Sequence, residues 1–291
     1  MALRIFAVMR DLGLLLKFRL AFSVVISAVA GYLIAAPEIE LLNLLLLTLG
    51  GFAVVGSSNA FNQVWEIQQD ALMGRTQNRP LPAGRMTRGV ALMWAVAFGV
   101  AGIAALALLN VKTAAFGALS LLIYVLVYTP LKAKSPWAVL VGAVPGAIPF
   151  MLGWVAATGT FGLEPGVLFA YQFVWQFPHF WAIAWLAYDD YAKAGYYLLP
   201  NRAKDALATR MTLFYTFWMI LISLMPAWGL AGTFTLDVWA AVATGLLGID
   251  VLYHAVRHWR AQEDASARAL MFSTIRYLPL VQTIWVLDRF I

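Results

Sequence analysis

Apolar residues run along this chain in long blocks, separated by short polar or Gly/Pro stretches. A hydrocarbon core about 30 Å thick is crossed by roughly 20 mostly apolar helical residues. Blocks of that length fall at 18–36, 41–62, 90–109, 113–129, 137–158, 166–187, 211–230, 236–253 and 270–288. The pattern predicts an all-α integral membrane protein with nine transmembrane helices, and it leaves no room for a separate soluble domain, so residues 1–291 form one unit. Residues 1–17 carry cations among apolar residues and run into the first block without a small-residue cleavage site; they read as a cytoplasmic amphipathic lead-in.

Composition agrees with a lipid environment. Of 291 residues, 63% are hydrophobic and 12% charged, against about 25% charged in soluble domains. The 12 Trp, 11 Tyr and 18 Phe supply aromatic belts. The absence of Cys excludes disulfides, thiolate metal sites and cysteine nucleophiles. A formal charge of +6 reads as cationic loops facing an anionic leaflet, with no nucleic-acid partner. Nine crossings place Arg4, Arg10, Lys17, Arg19, Arg75, Arg79, Arg85, Arg88, Lys132, Lys134, Lys193, Arg202, Lys204, Arg210, Arg257, Arg260, Arg268 and Arg276 on one side. Only Lys112 and Arg289 fall on the other. By the positive-inside rule the N-terminus is cytoplasmic or on the matrix side; without a transit peptide, a bacterial inner membrane is favoured over the mitochondrial one.

The end of the second block, NQVWEIQQDALMGRTQNRPLPAGR, places Asn62, Glu66 and Asp70 at i, i+4 and i+8, within about 80° on one helix face. Carboxylates one turn apart at a membrane edge repel unless a cation lies between them. Hard oxygen donors of this kind suit magnesium. Arg75 and Arg79 follow in a loop made rigid by Pro80, Pro82 and Gly84, and guanidinium matches phosphate oxygens in a bidentate fork. The competing reading is a solvated helix end whose acids pair with Arg75 and Arg79.

The sixth block closes with WQFPHFWAIAWLAYDDYAKAG. There His179 and Asp190, eleven residues apart, are expected on nearly one stripe, with Asp189 about 100° away. Four crossings separate this block from the second, so both acid clusters end on one side and can face each other across a metal. Tyr124, Tyr128 and Lys132 are delivered there at the end of the fourth block; snorkelling is the alternative role for the lysine. Gly142, Pro145, Gly146, Pro149 and Gly153 make a small-residue wall, for close packing or for a flat ligand. Asp250, His254 and His258 have zinc-compatible spacing, but they lack the Glu of HExxH and sit in what reads as a solvated turn.

The segment from Asn62 to Arg85 resembles the first signature of the intramembrane aromatic polyprenyltransferase superfamily. YTPLK (128–132), GAVPGAIP with GW (142–154), PHF with DDY (178–191) and LMFSTIRYL (270–278) resemble, in order, its protohaem IX farnesyltransferase (haem O synthase) branch. Phe18 between Lys17 and Arg19, Phe150, and YYLLPN (196–201) depart from that pattern.

The resemblance implies a helix bundle around a central cavity open to the cytoplasm and laterally to lipid, with 66–89 and 188–210 as cytoplasmic active-site loops. It implies farnesyl diphosphate and protohaem IX as substrates, Mg²⁺ as cofactor, and haem O plus diphosphate as products. Asn62, Glu66, Asp70, Asp189 and Asp190 would hold Mg²⁺. Arg75, Arg79, Lys132 and Tyr128 would contact the diphosphate, and His179 and Trp181 the haem. Asn62, Glu66, Asp70, Asp190 and Lys132 form the expected catalytic set. A haem A synthase or terminal oxidase would be an assembly partner. A quinone-precursor prenyltransferase is the alternative enzyme, and a secondary transporter the alternative of another class.

Overall fold

In lipid every backbone N–H and C=O must be satisfied within the spanning segment, so the apolar blocks fold as helices. The computed structural model describes residues 2–291, with side chains from Phe6 onward. Met1 and the Arg4 side chain lie outside the described residues. The helices are α1 (Ala2–Leu15), α2 (Phe18–Ala35), α3 (Leu41–Trp65), α4 (Ile67–Leu72), α5 (Arg88–Ala107), α6 (Val111–Leu122), α7 (Thr129–Leu131), α8 (Ala138–Thr158), α9 (Leu163–Leu186), α10 (Tyr188–Lys193), α11 (Ala206–Ser223), α12 (Val238–Ala261) and α13 (Asp264–Asp288). No strand occurs among the described residues.

Eight helical stretches are long and apolar enough to cross a membrane, including the continuous run Val111–Leu131. The block expected at 166–187 is also one helix, the 24-residue α9. Its interior carries Gln172, Gln176, Pro178 and His179, which keep it off that apolar set. A count of nine spans therefore does not follow from length and apolarity alone.

The central helix is α8, which packs against α2, α6 and α9, while α13 packs against α9, α12 and α2. The small-residue wall of α8 serves close packing. A methyl group added at Gly153 would run into the backbone carbonyl of Ala28 on α2, and one at Gly142 would lie 2.6 Å from the Tyr128 ring. Overpacking of this kind typically costs about 1–3 kcal/mol.

Both acid-bearing helix ends break without Pro or Gly. Glu66 (φ −99°, ψ 21°) separates α3 from α4, and Ala187 (φ −98°, ψ 16°) separates α9 from α10. The α3 ladder survives its break, because the Glu66 amide still donates to Asn62 O (2.9 Å) and the Asp70 amide to Glu66 O (2.8 Å). Between α6 and α7, residues Ile123–Tyr128 form a π-helical turn, a feature that recurs at functional sites.

The expected solvated turn after the eighth block is instead mostly helical. Only Gln262 and Glu263 separate α12 from α13, and the Glu263–Ser266 capping box starts the second helix. His258 is buried there, with Nδ1 2.9 Å from Ser266 Oγ, while Asp250 Oδ2 accepts from Ser273 Oγ (2.8 Å). Asp250, His254 and His258 thus do not converge on one point.

Candidate active site

The lead-in helix ends against α3. Its last carbonyls lack intrahelical partners, and α3 supplies donors: Gln63 Nε2 to Leu14 O (3.0 Å) and Leu15 O (2.7 Å), and Asn59 Nδ2 to Leu16 O (3.1 Å). Lys17 then adopts a left-handed backbone (φ 49°, ψ 57°) that turns the chain into α2. This reversal sets the Lys17 ammonium 3.3 Å from Asn62 Oδ1. Asp11, bound through both oxygens by Arg85 Nε at 3.1 Å, ties the lead-in to the loop after α4.

Asn62, Glu66 and Asp70 lie on one face, as their spacing predicts, and are 1%, 2% and 0% exposed. Asn62 and Glu66 meet groups from distant elements, and Asp70 meets the adjoining loop. Asn62 Nδ2 donates to Thr129 Oγ1 (3.3 Å) on α7. Lys132 Nζ sits 2.9 Å from Glu66 Oε1 and hydrogen-bonds Oε2 at 3.1 Å. Arg79 Nη1 reaches Asp70 Oδ2 at 2.7 Å and Oδ1 at 2.9 Å. The pairing of acids with nearby arginines holds for Asp70, but this end is buried, not solvated.

The local charges follow from burial and neighbours. Burial pushes the Asp70 carboxyl above its ordinary range, against the pull of Arg79. Burial, with the positive charges of Arg79 and Lys132, lowers the Lys17 ammonium to about 7. Burial and the Glu66 carboxylate raise the Tyr196 phenol. Lys132 is buried too, yet Glu66 holds its proton more tightly than usual.

The second acid-bearing end closes over the first. Asp190 Oδ1 accepts from the Gly74 amide (3.0 Å), and Oδ2 lies 3.4 Å from Arg75 Nε. The Gly74 amide holds the Asp190 carboxyl below its usual range. Tyr191 and Tyr196 pack on Met73; the Arg75 guanidinium lies 4.7 Å from the Tyr191 ring centre, and Lys132 Nζ 4.9 Å from that of Tyr196.

Other expected residues lie elsewhere. Asp189 is exposed, one helical step around from Asp190. His179 and Asp190 meet different groups: His179 Nδ1 lies 3.0 Å from Thr274 Oγ1 of α13 and its ring stacks on Trp175, whereas Asp190 faces Gly74 and Arg75. Trp181 meets Phe177 and Tyr215 instead. Two residues along a helix are about 200° apart, so His179 and Trp181 face different neighbours. Tyr124 and Tyr128 pair at 4.9 Å through the π-turn, with Lys132 Nζ 5.5 Å from the Tyr128 ring centre.

Lys17, Gly74, Thr129, Tyr191 and Tyr196 join the site without having been singled out. Lys17 is marked as a cation directly before the first apolar block; Gly74, Thr129, Tyr191 and Tyr196 lie inside the segments 62–85, 128–132, 178–191 and 196–201, which carry no residue-level role for them.

Among the described residues, no three His, Asp or Glu side chains converge as a preformed metal cage. Glu66 Oε1 is nevertheless buried without an aligned hydrogen-bond donor. Among the described residues only the Lys132 ammonium, 2.9 Å away, pairs with its charge, and this carboxylate oxygen is a hard donor beside Asn62 and Asp70, so the donor chemistry fits Mg²⁺.

The sequence profile of the UbiA prenyltransferase family matches residues 24–276. A protoheme IX farnesyltransferase of Christiangramia forsetii is 50% identical over 98% of this chain and 95% of its own. Its counterpart from Flavobacterium psychrophilum is 44% identical over 98% and 96%. Among solved structures, a digeranylgeranylglyceryl phosphate synthase aligns with TM-score 0.80 at 17% identity, covering 97% of this chain and 98% of that one. A UbiA homologue from Archaeoglobus fulgidus bound to GPP and Mg²⁺ aligns with TM-score 0.70 at 17% identity, covering 96% and 98%. By the extent of these matches, this chain belongs to the UbiA prenyltransferase family.

Proposed function

We propose that the chain transfers the farnesyl group of farnesyl diphosphate to a vinyl group of protohaem IX, with addition of water, giving haem O and diphosphate. The observation that carries this reading is the closure of the Asp190 end over the buried Glu66–Lys132 and Asp70–Arg79 pairs. It joins acids able to hold a divalent ion to cations able to take up diphosphate charge. The full-length relatives named protoheme IX farnesyltransferase support the choice of acceptor.

Loss of diphosphate from an allylic carbon is the demanding step, and preorganised charge at the leaving oxygens is the main means of lowering it. In this reading Asn62, Glu66, Asp70 and Asp190 would hold Mg²⁺, and the ion would supply charge to neutralise the diphosphate. Lys132, Arg79 and Arg75 contact its oxygens, and displacement of Arg79 from Asp70 frees both groups for their roles. Lys17 adds a fourth positive group on the Asn62 side. The Tyr124 and Tyr128 faces stand next to Lys132, where π density steadies the allylic cation. Water must be kept from that cation until the vinyl group has attacked, a role suited to the buried Tyr196 and Met73. His179 and Trp181 remain haem contacts in this proposal only one at a time, since they face different helices.

The whole chain works as one domain, with 66–89 and 188–210 over the site, in a bacterial inner membrane with the N-terminus cytoplasmic. A haem A synthase or terminal oxidase is the class of partner that would take the product. The test incubates membranes holding the protein with labelled farnesyl diphosphate plus either haem or 4-hydroxybenzoate. Label in haem is expected; label in the benzoate instead would assign a quinone-precursor prenyltransferase.

A further inference from the structure

Beside the acid-bearing site lies a second cleft, of about 330 Å³ including its open mouth, lined by Lys132, Lys134, Ser135, Tyr197 and Arg202. Its character is different. Three cations face it and no carboxylate is among its lining residues, so it attracts anions but has nothing to hold a divalent metal. Among the described residues neither Lys134 nor Arg202 enters an ion pair, whereas the cations of the neighbouring site are committed to Glu66, Asp70 and Asp190.

The cleft is also built. Arg202 holds a left-handed backbone (φ 57°), a conformation that is costly outside Gly and Asn and persists where surrounding contacts impose it. Those contacts are present: its amide donates to Leu199 O (2.9 Å), its carbonyl accepts from Tyr188 Oη (3.0 Å), and its Nη2 donates to Lys134 O (3.2 Å). The last bond joins the 132–136 turn to the 195–202 segment and keeps the two walls together. Most of the guanidinium donors remain free for a ligand. Tyr197, 38% exposed, offers a flat apolar face at the mouth.

Resting on the proposed function, we infer that this cleft binds the two propionate carboxylates of the tetrapyrrole acceptor. A carboxylate needs guanidinium and ammonium donors and no metal, whereas the diphosphate needs the metal-binding acids next door. Protohaem IX carries its propionates on one edge and its vinyl groups on the opposite edge. Anchoring the anionic edge at the loops therefore turns the vinyl edge toward the bundle. Lys132, shared by the two sites, places the anchored ring next to the diphosphate without mixing their ligands. Lys134 and Arg202 act as positioning and specificity residues and take no part in bond breaking.

The experiment uses full-length protein in zwitterionic phosphatidylcholine, comparing wild type with the Lys134→Gln/Arg202→Gln double variant and with Lys134→Arg. KM is measured for haem, for haem dimethyl ester and for farnesyl diphosphate. The expected result is a haem KM roughly tenfold or more higher in the double variant, an unchanged one in Lys134→Arg, and a farnesyl diphosphate KM within twofold throughout. The ester is expected to show the same weak KM with wild type and with the double variant.

An unchanged haem KM, or a rise confined to farnesyl diphosphate, overturns the inference. So does a haem KM effect that appears only when anionic lipid is added, which assigns the cleft to a lipid headgroup. Absence of any transfer to haem by wild type would instead defeat the proposed function, and is read before the variants are compared.

Discussion

The two acid-bearing helix ends use similar residues in opposite surroundings. At the α3–α4 end, Asn62, Glu66 and Asp70 are all but fully buried; Lys17, Thr129 and Lys132 reach them from far along the chain and Arg79 from the adjoining loop. At the α9–α10 end, Asp190 keeps 19% of its side chain exposed, its partners Arg75 and Lys193 are 47% and 63% exposed, and Asp189 is exposed. Exposed pairs contribute about 0–1 kcal/mol, whereas losing one partner of a buried pair costs about 3–5 kcal/mol. The first end is thus a fixed electrostatic seat, and the second a more weakly held cover over it.

The largest break in this contrast is Lys132→Met, which strands the Glu66 carboxylate in a buried site. We predict a loss of about 3–5 kcal/mol, seen as a lower melting temperature in detergent. The double variant Lys132→Met/Glu66→Gln should recover most of that stability yet stay inactive, which separates folding from function. Arg75→Ala, which removes the partner of Asp190 on the cover, should leave stability within about 1 kcal/mol and raise the KM for farnesyl diphosphate several-fold; a melting shift as large as that of Lys132→Met would erase the distinction.

Next in size is turnover. Asp70→Asn should lower kcat roughly 10²–10³-fold, the range for removing one preorganised group that stabilises transition-state charge. Asp190→Asn should cost on the order of tenfold, about 1.4 kcal/mol, and Asp189→Asn less than twofold.

The smallest expected effect lies at the edge of the cover. Burial works against the Asp205 carboxylate, but the Ala208 amide, its N-cap partner at 2.9 Å, and the Asn201 side chain hold it below the usual range. Its stabilising contribution is therefore complete above the ordinary carboxylate range and lost as pH falls through the lowered value. Asp205→Ala should cost about 1 kcal/mol at pH 7, a deficit that shrinks on acidification.

The same contrast explains what was legible in the sequence. Asn62, Glu66 and Asp70 could be read as one row because α3 keeps its hydrogen-bond ladder through the break at Glu66. Lys132 and Arg79 could be placed beside them because the Pro-rich loop and the end of the fourth block fix their positions locally. His179 and Asp190 meet different groups even though the ladder also continues through Ala187, whose amide donates to Ile183 O (2.9 Å) and whose carbonyl accepts from Tyr191 N (2.9 Å), because eleven helical residues set them about 16 Å apart along the axis. Lys17 is legible as a cation at the membrane edge, but its approach to Asn62 is not, because it depends on a positive φ in a lysine. The extent of α12 and α13 was misjudged because charged residues such as Arg257, Arg260 and Arg268 read as a solvated turn, although helices continue beyond the apolar core. α9 was legible by length, although its buried glutamines dilute the apolar signal.

The central claim is that the two helix ends act on one ion and one diphosphate. The direct measurement is the Mg²⁺ dependence of farnesyl transfer for wild type, Asp70→Asn, Asp190→Asn and the double variant. The account predicts a raised half-saturating Mg²⁺ concentration in each single variant and a coupling of about 0.5–3 kcal/mol between them. Effects that simply multiply, or near-normal turnover of Asp70→Asn at saturating Mg²⁺, would contradict it.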